Sequence, residues 1–183
     1  EGPLGVHLPR PDLAAQAPTS AVREIISEVR EGGDSSIRQL TNRFDDVDIA
    51  LPLVPESELE QAWKSLGSEL ADALQFAYNR ILYFHEQEAG QSHEVMQDDI
   101  KVTSVPQPVE RAGLYVPGGL AAYPSTVLMT ALPAKAAGVK ELLLCTPPDP
   151  SGDVDQVVLA AAHLCGVREV YKIGGAQAVA AMA

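Results

Sequence analysis

The sequence predicts an α/β fold: a parallel, right-handed sheet preceded by an N-terminal helical segment. The first half of the chain carries apolar residues at helical spacing. The second half alternates short apolar runs with amphipathic stretches, and several of those runs end in Gly or Pro. The order strand–helix–strand–helix–strand–helix closes most readily into parallel strands covered by helices.

Each element follows from local pattern. Residues 1–18 are rich in Pro and hold no sustained period, as expected of an extended arm. From Ser20, Val22, Ile25, Ile26 and Val29 fall on one helical face, and Gly32-Gly33 stops it. Asp34 suits the N-cap of a second short helix with Ile37, Leu40 and Phe44 on one stripe. VDIALPLVP then reads as an extended linker. Ser57-Glu58-Leu59-Glu60 has the form of a capping box, opening a helix through Trp63 and Leu66 that Gly67 ends. Ser68 starts a longer helix with Leu70, Leu74, Ala77, Ile81 and Phe84 at helical spacing.

Then the period changes. IKVTSV (100–105) and VERAGLYV (109–116) read as strands, joined irregularly through Pro106 and Pro108. YPSTVLMTALPAKAAGV reads as a helix that Pro133 should kink or shorten. ELLLCT (141–146) is a short buried strand and PPDPSGD a loop. DVDQVVLAAAHLCG is a helix ending at Gly166, REVYKI is a strand, and Gly174-Gly175 turns into a last helix.

Composition narrows the function classes. The 183 residues are 46% apolar and 21% charged, which is globular composition. A net charge of −12 argues against a nucleic-acid partner, which needs a basic surface. Two cysteines, Cys145 and Cys165, form no spaced framework, so a reducing compartment such as the cytoplasm fits best. No run reaches the roughly 18 apolar residues of a membrane span. The N-terminus lacks a secretory signal's order and an initiator Met, and the C-terminus stops in an uncapped helix start, GGAQAVAAMA. Both ends suggest a fragment.

In open α/β sheets, ligands bind beyond the carboxyl ends of the strands. Three strands end here at Pro117-Gly118-Gly119, Thr146-Pro147-Pro148 and Gly174-Gly175. Glycine lets a backbone approach a ligand, and a following helix N-terminus offers free amides, which suits a nucleotide or another anion. Neither Gly113–Gly119 nor GGAQA fits G-x-G-x-x-G, however, so tight turns explain these glycines as well. Tyr115 alternates within its strand, and a core contact accounts for it equally. Gln177 is a polar side chain in the first turn of an Ala/Val helix beside the ligand edge, or a surface residue. His7, His85, His93 and His163 are scattered, and no HExxH or Cys/His cluster exists, so no metal site is expected within this chain. Cys145 has no identifiable activating His or Lys and reads as a structural thiol. Lys135 reads as exposed.

GLYVPGGLAAYPSTVLMTALPAKAAGV, the later TPP and the closing YKIGGAQAVAAMA resemble histidinol dehydrogenase. Upstream, AVREIISEVREGGDSSIRQLTNRFDDVDI and FHEQ (84–87) resemble that family's N-terminal helices. Asp46 stands where the family usually has Gly, and Ala112 where it often has Val. The resemblance implies an incomplete Rossmann-like parallel sheet preceded by an N-terminal helical segment. Residues 1–92 would be arm and helices, and 93–183 the first part of an NAD-binding domain, truncated at its C-terminal end. It implies an NAD-dependent, zinc-requiring oxidation of L-histidinol to L-histidine through L-histidinaldehyde, by a homodimer. Tyr115 and Gln177 match the family's NAD contacts. The zinc ligands and acid/base pair are expected downstream of Ala183, so no catalytic or metal residue is assigned here. Two rival readings are a non-catalytic α/β nucleotide-binding module and a related NAD-dependent alcohol dehydrogenase.

Overall fold

A computed structural model describes residues 19–88, 90, 92–119 and 121–183. The arm expected over residues 1–18, with His7, lies outside the described residues. Helix α1 (Thr19–Asp45) bends at Gly33, whose φ of 53° and ψ of −134° leave the helical region. The two expected helices thus form and meet end to end across a kink at Gly33. Val29, Ile37 and Leu40 are buried along α1, but Phe44 departs from the expected stripe and is 51% exposed. At Asp46 the backbone turns left-handed (φ 56°), and its N–H donates to the Asn42 carbonyl at 3.0 Å. The usual Gly of the resembled family suits such a φ, and Asp is among the few side chains that tolerate it.

The next elements are β1 (Leu53–Val54), α2 (Glu56–Ser65) and α3 (Ser68–Glu88). The capping box does not form. Helix α2 starts at Glu56 behind Pro55, with no side-chain cap, and Glu60 pairs with Lys64 one turn on. Proline's fixed φ sets the helix entry without the Ser–Glu reciprocity. On α3, Leu74 is buried while Phe84, expected on the same stripe, is exposed along with Phe76 and Tyr83.

Residues 93–97 also depart from expectation. His93 opens β2 (His93–Gln97), a strand not expected from the sequence, which pairs antiparallel with β3 (Ile100–Ser104). The turn between them, Asp98-Asp99, has φ of 47° and 66°, the left-handed pair that a tight hairpin turn requires. This hairpin is a separate two-stranded sheet, exposed along its whole length.

The main sheet comes from β4 (Arg111–Tyr115), β5 (Glu141–Thr146) and β6 (Glu169–Lys172), with α4 (Pro124–Ala136), α5 (Gln156–Leu164) and α6 (Gly175–Met182) following each strand in turn. Its order is β1-β6-β5-β4. The three later strands are parallel, and β1 runs antiparallel along β6, so the expected linker supplies a strand. Helix α4 passes through Pro133 and stops at Ala136, an early end rather than a kink in mid-helix.

Register and alternation assign the faces. Leu114, Leu144, Val170 and Val54 lie side by side across the sheet, all buried against α2 to α5. One residue further along, Tyr115, Cys145 and Tyr171 point to the opposite face, where α1 and α6 pack. Helix α6 has therefore crossed to the face opposite α4 and α5. A sheet that winds β4, β5, β6 outward and then sends its next helix to the other face is the first half of a doubly wound fold.

The carboxyl ends of the strands close around a single ring. A methyl group at Gly118 would lie 2.4 Å from Pro147 Cγ, and one at Gly174 would lie 2.6 Å from Pro147 Cβ and 3.2 Å from its Cα. The Gly174 contact includes backbone, so it cannot be relieved by a side-chain rotation. Gly174→Ala should therefore lower stability by about 1–3 kcal/mol in urea unfolding, the usual range for overpacking. Pro147→Ala in the same background should recover part of that loss. Equal losses with and without Pro147 would show that the two positions are independent.

Candidate functional site

Beyond the ends of β4 and β5 lies a cleft of about 570 Å³, lined among others by Pro117, Gly118, Tyr123, Thr146, Pro147 and Asp45. It occupies the place where open α/β sheets bind ligands, at the crevice outside the carboxyl edge. A second cavity, about 360 Å³, sits on the α1/α6 face of the sheet against Asp34, Arg111, Cys145, Tyr171 and Met182. That position is on a face of the sheet rather than at its carboxyl edge.

The charged groups lining the strand-end cleft are all acidic: Asp45, Asp149 and Asp155. Two of them are committed to their own backbone. Asp149 Oδ1 accepts from the Ser151 side chain and from the N–H groups of Ser151 (2.8 Å) and Asp153 (3.1 Å). Those bonds, the Ser151 hydroxyl foremost, hold its carboxyl below the ordinary range. Asp155 caps α5, accepting from Val157 N–H at 2.8 Å. Asp45 differs: its Oδ2 is buried with no partner among the described residues, and burial pushes its carboxyl above the ordinary value. The expectation of free amides at each strand–helix junction thus fails at α5, where Asp155 already occupies the N-terminus.

The junction at α6 has no side-chain cap. There the structure joins two regions singled out in the sequence, because Gly175 N–H donates to the Tyr115 hydroxyl at 3.0 Å. Tyr115 is half-buried and packs with Cys145, Ile173 and Ala178 on the α1/α6 face. Gln177 is not a surface residue: it is 1% exposed, and neither its amide nitrogen nor its oxygen has a partner among the described residues. It lies directly beneath the turn, so that a methyl group at Gly175 (φ 62°) would come within 2.6 Å of Gln177 Oε1. Neither Tyr115 nor Gln177 lines the strand-end cleft. Pro147 links the two regions, lining the cleft and packing on Gly174.

The remaining candidates are structural. Burial pushes the Cys145 thiol up to about 11 and that of Cys165 to about 12, far from a reactive thiolate. Lys135, exposed as expected, donates to the Cys165 carbonyl at 2.9 Å and so finishes α5. His85 Nδ1 lies 2.9 Å from Glu88 Oε2. Among the described residues, no group of three or more His, Cys, Asp or Glu gathers to hold an ion.

Sequence reasoning missed Asp45 and the wedge at Pro147. Asp45 reaches the cleft from the end of a helix some seventy positions upstream of Tyr115, and only the bent path of α1 brings it there. No local motif signals that.

A family model described as histidinol dehydrogenase matches residues 8–183. A histidinol dehydrogenase of Parasynechococcus marenigrum (strain WH8102) is 48% identical over 167 residues, 87% of this chain and 37% of the relative. One of Syntrophotalea carbinolica is 44% identical over 183 residues, 98% of this chain and 42% of the relative. The crystal structure of histidinol dehydrogenase from Elizabethkingia anophelis superposes with a TM-score of 0.87 at 33% identity, covering 94% of this chain and 40% of that one. The chain thus spans about two-fifths of the length of the relatives it matches.

A buried amide without partners costs about 1–3 kcal/mol, whereas an apolar group of similar shape does not. Gln177→Leu should accordingly leave the unfolding free energy unchanged or raise it by about 1 kcal/mol. A loss of about 2 kcal/mol or more would mean that the amide is satisfied within the fold.

Proposed function

The chain belongs to the histidinol dehydrogenase family, and on that premise we propose that it is the N-terminal part of an NAD-dependent enzyme oxidising L-histidinol to L-histidine through L-histidinaldehyde. In this reading residues 93–183 begin the NAD-binding domain, and residues 1–92 supply its arm and helices. The whole protein is a cytoplasmic homodimer of histidine biosynthesis. The observation that carries the cofactor reading is the buried amide of Gln177, without a partner among the described residues, beneath the turn that Tyr115 holds. An amide with two donor hydrogens and an acceptor oxygen suits a ligand that presents both functions.

The hydride acceptor for each of the two oxidation steps would be NAD. What this chain's residues do is hold and orient it. Tyr115 fixes the Gly174-Gly175 turn through the Gly175 N–H, and its own hydroxyl hydrogen is still available to donate. Gln177 supplies the polar group under that turn. The uncapped start of α6 adds a positive dipole end for a phosphate. Zinc is different: among the described residues no ligand set gathers for it, and no step is assigned to the ion.

In the full-length protein, Gln177→Leu should raise KM for NAD about tenfold or more, the scale of a lost pair of buried hydrogen bonds. An unchanged NAD dependence would remove Gln177 from the site. The 183-residue chain by itself should form no NADH from histidinol, and measurable histidinol-dependent NADH formation would contradict the reading.

A further inference from the structure

We propose that the outward side of α3, with the exposed hairpin that follows it, is an interface with the part of the full-length chain beyond Ala183. A helix that packs on one side only carries one apolar stripe. Helix α3 carries two. Leu74, Ala77, Tyr78 and Ile81 form the first and pack into the core between the helices and the sheet. Phe76, Arg80 and Tyr83 form the second, at i, i+4 and i+7 on the opposite side, with Phe76 63% and Tyr83 67% exposed. The Arg80 guanidinium lies over the Phe76 ring at 5.1 Å, so the one cation of this stripe rests on apolar surface. On the hairpin, Val95 and Val102 stand opposite each other with Ile100 on the same side, and all three are exposed. A two-stranded hairpin with no buried residue is marginal in water by itself. Scattered apolar residues on a surface are ordinary, whereas a second stripe beside an uncovered hairpin marks a contact face.

Position selects the occupant. On this face the helices run in the order α3, α4, α5, α2, each packed on the next, above strands in the order β4, β5, β6, β1. Helix α3 is therefore outermost at the β4 end. There β4 is the edge strand, with no neighbour on its outer side among the described residues. An open parallel edge in a sheet of this kind is paired or covered in the complete fold. Helix α6 crosses the opposite face and ends on this same strand: Met182 packs on Gly113, where a Cβ would lie 2.7 Å from its Sδ. Whatever follows α6 thus starts beside the open edge, next to α3, and a second copy of the chain would meet that segment first. The interface rests on the reading of this chain as the N-terminal part of a longer enzyme, a reading in keeping with its covering 37% and 42% of two relatives.

The test uses the full-length protein. Tyr83→p-benzoylphenylalanine, and separately Phe76→p-benzoylphenylalanine, should on irradiation crosslink to a peptide from beyond residue 183 of the same chain, identified by mass spectrometry. The aromatic-for-aromatic exchange keeps the side chain's character, and either variant alone suffices if the other does not fold. In parallel, maleimide labelling of Tyr83→Cys and Phe76→Cys should be about tenfold or more slower in the native protein than in urea, because a covered thiol reacts only on local opening. Crosslinks confined to residues 1–183, or a product of two chains on a denaturing gel, overturn the proposal. So do equal labelling rates in the native protein and in urea. Activity separates this interface from the reading it rests on. A full-length protein that forms no NADH from histidinol defeats the proposed function, while a crosslink beyond residue 183 in that same protein upholds the interface.

Discussion

The strand ends depend on the room that two glycines leave for Pro147. Three parallel strands deliver their carboxyl ends to one edge, and at that edge a proline ring fills the gap between Gly118 and Gly174. A Cβ on either glycine would overlap the ring, so close approach within the fold already explains both residues. By sequence alone these glycines suit turns or a ligand. Their tightest contact is internal, and it brings the β4, β5 and β6 ends together firmly enough for Tyr115 to reach the backbone of the GGAQ turn at 3.0 Å.

That wedge separates two environments of different chemistry. On one side of Pro147 an acidic cleft of about 570 Å³ opens beyond β4 and β5. On the other, the start of α6 covers a buried amide that has no partner among the described residues. Hydroxyls suit the first and an anionic or amide-bearing group suits the second. A dinucleotide carries both kinds of group along one extended molecule, which is why an arrangement that no short glycine motif identifies still reads as a cofactor edge.

Much of the fold was legible in the sequence because burial imposes its period there. Leu114 and Leu144 sit in continuous apolar runs, AGLYV and LLLC, and strands buried on a sheet under helices read that way. The hairpin of residues 93–104 was half hidden because it is exposed on all sides and carries no burial pattern to read. Leu53–Val54 was missed because two residues are too short for any period. Tyr115 and Gln177 were singled out from position and resemblance, and the structure adds that one bonds across to the turn above the other. Gln177 looked like a surface side chain as readily as a site residue, since an Ala-rich first turn says nothing about what covers it. Asp45 was illegible: its placement depends on the bend at Gly33 and on packing across the sheet, neither of which a local window records.

The account's central claim is that the carboxyl edge organised by Pro147 is where the dinucleotide lies. A crystal structure of the full-length protein with NAD bound tests it most directly. The account predicts NAD across the ends of β4 and β5, with Tyr115 and the Gln177 amide within hydrogen-bond distance of it. NAD bound away from that edge, for example in the 360 Å³ cavity of the α1/α6 face, with Gln177 still enclosed and unpartnered, would contradict it.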